Sequence, residues 1–190
     1  MPSLASRFAA RRRLASIGAR TGLGLALLLA APLLAGCFVS GALLADEDQA
    51  IHPLADGVYA RAGGGDRFRL TLEPDGWYAI ERLSPDGLIG ETHRVLVTPE
   101  GGDLLLTEAR DDGYAYAAAR LHGDDLYLAA PDCADPFDRG LAADQNASGD
   151  EDEPGLCRFA DRVGLDAAMQ AFLGSADFGA PFHKQGPAAR

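Results

Sequence analysis

From Arg67 onward, apolar and polar positions alternate in short runs separated by turn residues. In "DRFRLTLE", Phe68, Leu70 and Leu72 fall on one side and Arg67, Arg69, Thr71 and Glu73 on the other. That period of two is the signature of a half-buried strand. "EPDG" follows and leads into "WYAIERL". Pro presets φ and Gly supplies a left-handed residue, which is hairpin-turn chemistry. "SPDG" (84–87), "PEGG" (99–102), "RDDG" (110–113) and "HGDD" (122–125) repeat the break at intervals of 10–15 residues. The spacing predicts a mainly β domain, an antiparallel meander of about seven strands forming a small barrel or a sandwich. "RLTLEPDGWYAIERL" and "LLLTEARDDGYAYAAARL" look alike, either as a duplicated hairpin or as two hairpins under the same turn chemistry.

The period changes in "VGLDAAMQAFLG" (163–174). Leu165, Ala168, Met169, Phe172 and Leu173 recur at helical spacing, predicting a C-terminal helix over 163–173 with Gly174 at its C-cap. No period governs 37–56, expected to be a flexible tether, or 175–190, expected to be a mobile tail in which Phe178 and Phe182 could dock. The β-rich domain is thus expected over 57–174. It includes a stretch at 134–156, rich in acid, Gly and Pro, that reads as a loop.

The first 36 residues follow another logic. Arg7, Arg11, Arg12, Arg13 and Arg20 precede sixteen uncharged residues, "TGLGLALLLAAPLLAG". A bilayer-spanning helix needs about 20 apolar residues, so the run is short for a span. A basic segment, a short apolar core and small residues at its end mark a secretory signal peptide. The run ends in "LAGC", which resembles the lipobox of bacterial lipoproteins. That resemblance implies cleavage after Gly36, a diacylglyceryl group on the Cys37 sulfur, and an acylated (palmitate-type) amino terminus. Phe38, in place of the Asp that retains such proteins in the inner membrane, implies the outer membrane. Beyond this motif the chain has the general look of small envelope lipoproteins and matches no specific family. "RRRLAS" faintly resembles a twin-arginine export signal, with plain positive charge as the simpler reading.

Removing 1–36 takes five of the 17 basic residues and none of the 28 acidic ones, leaving 12 against 28, a net charge of −16. Such a surface repels nucleic acid and anionic lipid. Cys133 and Cys157 remain as a pair, which in an exported chain reads as a disulfide. Neither a short C-x-x-C redox motif nor a neighbouring zinc ligand competes with that reading.

Catalytic and metal-binding signals are weak. "DQNASGDEDE" places Asp144, Asn146, Ser148, Asp150 and Asp152 at alternate positions of an EF-hand-like loop, but Gly155 stands where a bidentate Glu belongs. A solvated acidic loop is the preferred reading, with calcium as its alternative. No serine lies in a Gly-framed nucleophile turn. Among the histidines, His52 and His183 fall in the expected flexible ends, while His93 and His122 flank strands and could approach across the sheet. "AGGGD" (62–66) precedes a strand and has no helix N-terminus to bind phosphate. Trp77, Tyr78, Tyr114, Tyr116 and Tyr127 lie on expected strands, as core residues or as the lining of a lipocalin-like cavity.

The expectation is therefore a membrane-anchored, periplasm-facing protein, without cofactor and non-enzymatic. It would act on a protein partner in the cell envelope. The alternative is a small-molecule carrier or sensor using the barrel interior; an envelope hydrolase ranks third.

Overall fold

In the computed structural model, residues 37–84, 86–87, 89–149 and 155–186 are described. The expected signal peptide (1–36) lies outside them. The chain forms β1 (Phe38–Ser40), a 3-10 turn (Glu47–Gln49), β2 (Gly57–Arg61), β3 (Arg67–Leu72), β4 (Tyr78–Leu83), β5 (Ile89–Glu100), β6 (Asp103–Arg110), β7 (Gly113–His122) and β8 (Asp125–Ala129). Helix α1 (Pro136–Asp144), β9 (Ser148–Gly149), β10 (Cys157–Arg158), α2 (Arg162–Leu173) and β11 (Phe182–Lys184) follow.

Strands β2 to β8 are joined antiparallel in chain order, and β11 enters between β8 and β2 to close an eight-stranded barrel. Of the two expected architectures, the barrel is the one formed. Its hairpins use the expected turns: the Gly76 N–H donates to Glu73 O at 3.0 Å, and Gly76 takes φ 87°, where a Cβ would be strained.

Closure by β11 corrects the expected mobile tail. Phe182 enters the barrel core, 5.1 Å from the Phe68 ring, which in turn stacks on Tyr59 at 5.4 Å. Two neighbouring strands supply its ladder, from Leu126 on one side and Arg61 on the other. A three-residue strand is too short to show a period, so only tertiary pairing defines it.

The expected tether over 37–56 is also corrected. Strand β8 leaves β7 at Ala118, and β1 takes over the vacated ladder, pairing Phe38, Val39 and Ser40 with Tyr116, Ala115 and Tyr114. All three β1 residues are buried, so no alternation was there to read. Gly113 makes this approach possible, since a Cβ there would lie 2.1 Å from Ser40 O. Further on, Leu54 plugs one barrel mouth: its N–H donates to Tyr78 Oη at 3.3 Å and its carbonyl accepts from the same hydroxyl at 3.0 Å.

There are two principal cores. Inside the barrel lie Phe68, Leu70, Tyr78, Val95, Val97, Leu106, Ala117 and Leu126. Outside it, Leu105, Tyr116 and Ala118 on the opposite faces of β6 and β7 pack against α1, α2 and β1. Strands buried on both faces need apolar residues at nearly every position, which accounts for the runs "LLL" and "YAYAAA".

Helix α2 covers this outer face with Leu165, Ala168, Met169 and Phe172, and the Asp161 carboxylate caps it by accepting from Gly164 N–H at 2.8 Å. Helix α1 replaces the loop expected from residue 134. Asp135 accepts from Phe137 N–H at 2.7 Å and Pro136 holds the first helical position. The Asp-Pro pair was the available signal for this helix.

Candidate functional site

Three thiol-bearing residues meet in the outer core. Cys37 directly precedes β1, Cys133 sits in the turn after β8, and Cys157 opens β10. Backbone pairing brings them together. The Cys37 N–H donates to Pro131 O at 3.2 Å, and the Cys157 N–H donates to Cys37 O at 2.9 Å. The parallel register sets Phe38 beside Cys157. The three sulfurs lie within 4.8 Å of one another, and each residue is at most 5% exposed. Phe38, Phe159, Met169 and Phe172 belong to the same cluster, and the Phe38 and Phe159 rings meet edge-on at 5.1 Å.

Cys133 is central. Its sulfur is within bonding reach of both neighbours, with Cα separations of 5.6 Å to Cys37 and 6.1 Å to Cys157. Both separations suit a disulfide without backbone movement. A sulfur forms one such bond, so Cys37–Cys133 and Cys133–Cys157 exclude each other. The expected Cys133–Cys157 pair is thus in place, but with a competitor that sequence reading assigned wholly to lipidation.

A second cluster occupies the barrel mouth formed by the ends of β5 and β6. Glu108 points inward and is 2% exposed, with Oε1 2.5 Å from His93 Nδ1 and Oε2 accepting from Arg110 Nη2 at 3.2 Å. The hydrogen bond to Glu108 raises the pKa of His93; burial opposes this, and the charges of Glu108 and Glu91 add to it. With Nδ1 committed, Nε2 faces Glu91 Oε2 at 3.7 Å. An irregular register between Glu81 and Leu83 places one extra residue on β5 just before this point. Such bulges re-aim side chains at barrel rims.

Glu91, His93, Glu108, Arg110 and Asp111 line an open cleft of about 410 Å³ there. The cleft holds an imidazole oriented by Glu108 beside further charged groups, so it can bind through charge.

Sequence reading named His93 but not its partners. The hairpin register carried the signal: Glu100 pairs with Asp103 across Gly101–Gly102, and counting back sets Val95 opposite Glu108. That places Glu108 diagonal to His93.

The remaining candidates disperse. His122 ends β7 beside its turn to β8, at the far end of the barrel from His93, so the two do not approach across the sheet. His183 Nδ1 instead meets Asp125 Oδ1 at 2.5 Å. Asp144 ends α1, Asn146 takes φ 58°, and the Ser148 hydroxyl donates to Arg158 O at 3.5 Å, while Asp150 and Asp152 lie outside the described residues. Among the described residues, the group close enough to share an ion is the three cysteines. Tyr78 and Tyr59 join the barrel core, Tyr116 the outer one, and Trp77 packs with Ala45 and Leu96.

The barrel interior leaves about 20 Å³ among Leu54, Phe68, Leu70, Tyr78, Ile80, Val95, Leu106, Leu126 and Leu128. That is room for roughly one water, against about 300 Å³ for a small-ligand pocket. Comparison with protein families, curated proteins and solved structures finds no match to this chain.

Proposed function

We propose that this chain is an exported lipoprotein, anchored through Cys37 and facing the periplasm, whose barrel acts by binding another envelope protein. The observation that carries this reading is the filled interior: with about 20 Å³ left inside, recognition falls to the outer surface and the mouths. This weighs against a carrier that holds its ligand in the barrel interior; the larger spaces are open clefts of about 420 Å³ at the Leu54 mouth and about 410 Å³ at the His93 mouth. The His93 cleft adds an open, charged contact at one mouth of the barrel. Two or more acyl chains, at about 0.8 kcal/mol per buried CH₂, hold a protein on a bilayer nearly permanently.

Because β1 begins one residue after Cys37, an anchored barrel would sit directly on the lipid surface, with no tether to lift it. A partner would then meet it within the plane of the membrane. The −16 charge of residues 37–190 favours a basic face on that partner.

The test is intact mass of the chain extracted from membranes, followed by cross-linking in those membranes. A chain cut before Cys37, carrying acyl mass and cross-linked to one discrete protein, is expected. Uncut chain in the soluble fraction would defeat the anchor. An acylated chain with no discrete cross-link, combined with a co-purifying small molecule, would turn the reading toward the carrier.

A further inference from the structure

The buried sulfur cluster has a consequence beyond anchoring. We infer that lipidation of Cys37 selects the disulfide of this protein: the modified chain holds Cys133–Cys157, and the unmodified chain exchanges between Cys133–Cys157 and Cys37–Cys133. The lipid-dependent half rests on the proposed anchor at Cys37.

The geometry supplies both alternatives. Cα separations of 5.6 and 6.1 Å allow either bridge in the same backbone, and all three sulfurs lie in one cluster. The first bridge forms by transfer from a disulfide-bearing oxidant of the exported compartment, which leaves as a dithiol. In an unfolded chain the 24-residue separation closes roughly eight times more often than the 96-residue one, so Cys133–Cys157 forms first.

Exchange then needs no further oxidant. The Cys37 thiolate attacks the Cys133 sulfur, the Cys133–Cys157 bond breaks, and Cys157 departs as a thiolate that takes up the proton Cys37 released. Low exposure of all three residues keeps external thiols out and makes the exchange internal.

A diacylglyceryl thioether ends this competition twice over. Chemically, an alkylated Cys37 sulfur is no longer a nucleophile. Sterically, two acyl chains do not fit among Phe38, Phe159 and Phe172, so the Cys37 side chain must rotate out of the cluster. As the first residue of a cleaved chain, it has no upstream backbone to oppose that rotation. Cys133 is then left with Cys157 alone.

The experiment maps disulfides by proteolysis and mass spectrometry in two forms of the full chain. One is the membrane-extracted protein. The other carries Leu34→Asp to block lipidation, retains Cys37, and is refolded in a glutathione redox buffer, which reaches the sulfurs before folding buries them. The lipidated chain should contain Cys133–Cys157 only. The blocked chain should contain both bridges within about tenfold of each other, since both separations are unstrained. In the blocked background, Cys157→Ser should still form Cys37–Cys133, which shows that the fold tolerates it.

Cys133–Cys157 as the sole bridge of the blocked chain, together with a free Cys133 in its Cys157→Ser form, would overturn the exchange. A membrane-extracted chain without lipid mass would overturn the anchor and with it the selection, whatever bridges the blocked chain shows.

Discussion

Tyr116 Oη lies 2.7 Å from Ser40 Oγ and accepts from the Leu44 N–H at 3.1 Å, tying the middle of β7 to the segment just after Cys37. Both side chains are buried, and Tyr116 is among the largest fully buried residues. Replacing Tyr116 by Phe keeps the ring but leaves the Leu44 N–H without its acceptor, while the Ser40 hydroxyl keeps only its bond to Ala42 O, at a cost of about 1–3 kcal/mol. Urea unfolding should show this loss. A loss under a few tenths would mean that the N-terminal segment is not held through this hydroxyl.

Cys133→Ser removes the shared partner of both bridges, whereas losing Cys157 alone leaves one. A bridge closing 24 residues contributes about 3.5 kcal/mol in the chain-entropy account. Under oxidising conditions the Cys133→Ser protein should melt well below the wild type, and under full reduction the two should converge. An equal melt when oxidised would mean that no bridge forms.

Legibility in the sequence followed the number of faces and the length of each element. Strand β3, with Phe68 and Leu70 on one side only, reads directly, and so does α2, whose five-residue apolar stripe contains all four of its buried residues. Strands β5 to β7 read as strands, but the reason for their second apolar face was an outer layer that no local pattern announces. Strands β1 and β11, three residues each, carry no period and exist because neighbouring strands offer unpaired ladders. The sulfur cluster was hidden differently. Cys37 and Cys133 are 96 residues apart, and the lipobox gave Cys37 a complete explanation of its own.

Phe182→Ala tests the closure of the barrel. The ring packs on Phe68, with the Arg61 guanidinium 4.6 Å from its centroid, and the backbone of β11 bridges β8 and β2. Truncating a buried Phe costs about 3–5 kcal/mol. The variant should unfold at markedly lower urea, and amides of β2 and β8 should lose hydrogen-exchange protection first. Unchanged protection there would mean that β11 does not hold the barrel closed.

Millimolar calcium should leave the melting temperature unchanged. Ser148 spends its hydroxyl on Arg158 O, Asp144 belongs to a helix end, and Gly155 occupies the position of the bidentate ligand in the EF-hand register. A rise of several degrees with calcium, absent with magnesium, would restore a cation to the acidic segment.

The His93–Glu108 pair sets a pH dependence with a definite sign. The hydrogen bond to Glu108 raises the His93 pKa in the folded state above its unfolded value of about 6.5. The folded protein therefore binds more protons between the two values. Its extra stability is complete below about pH 6.5 and is lost as pH rises through the folded-state value. Urea unfolding of the wild type and of His93→Gln should diverge most on the acid side of neutrality and converge toward alkaline pH. Glu108→Gln should abolish the same pH dependence while also lowering stability at every pH, because it removes the buried carboxylate that Arg110 and His93 share. Parallel curves for the wild type and His93→Gln would show that the imidazole stays neutral beside Glu108, and the mouth would then offer a fixed dipole in place of a titrating charge.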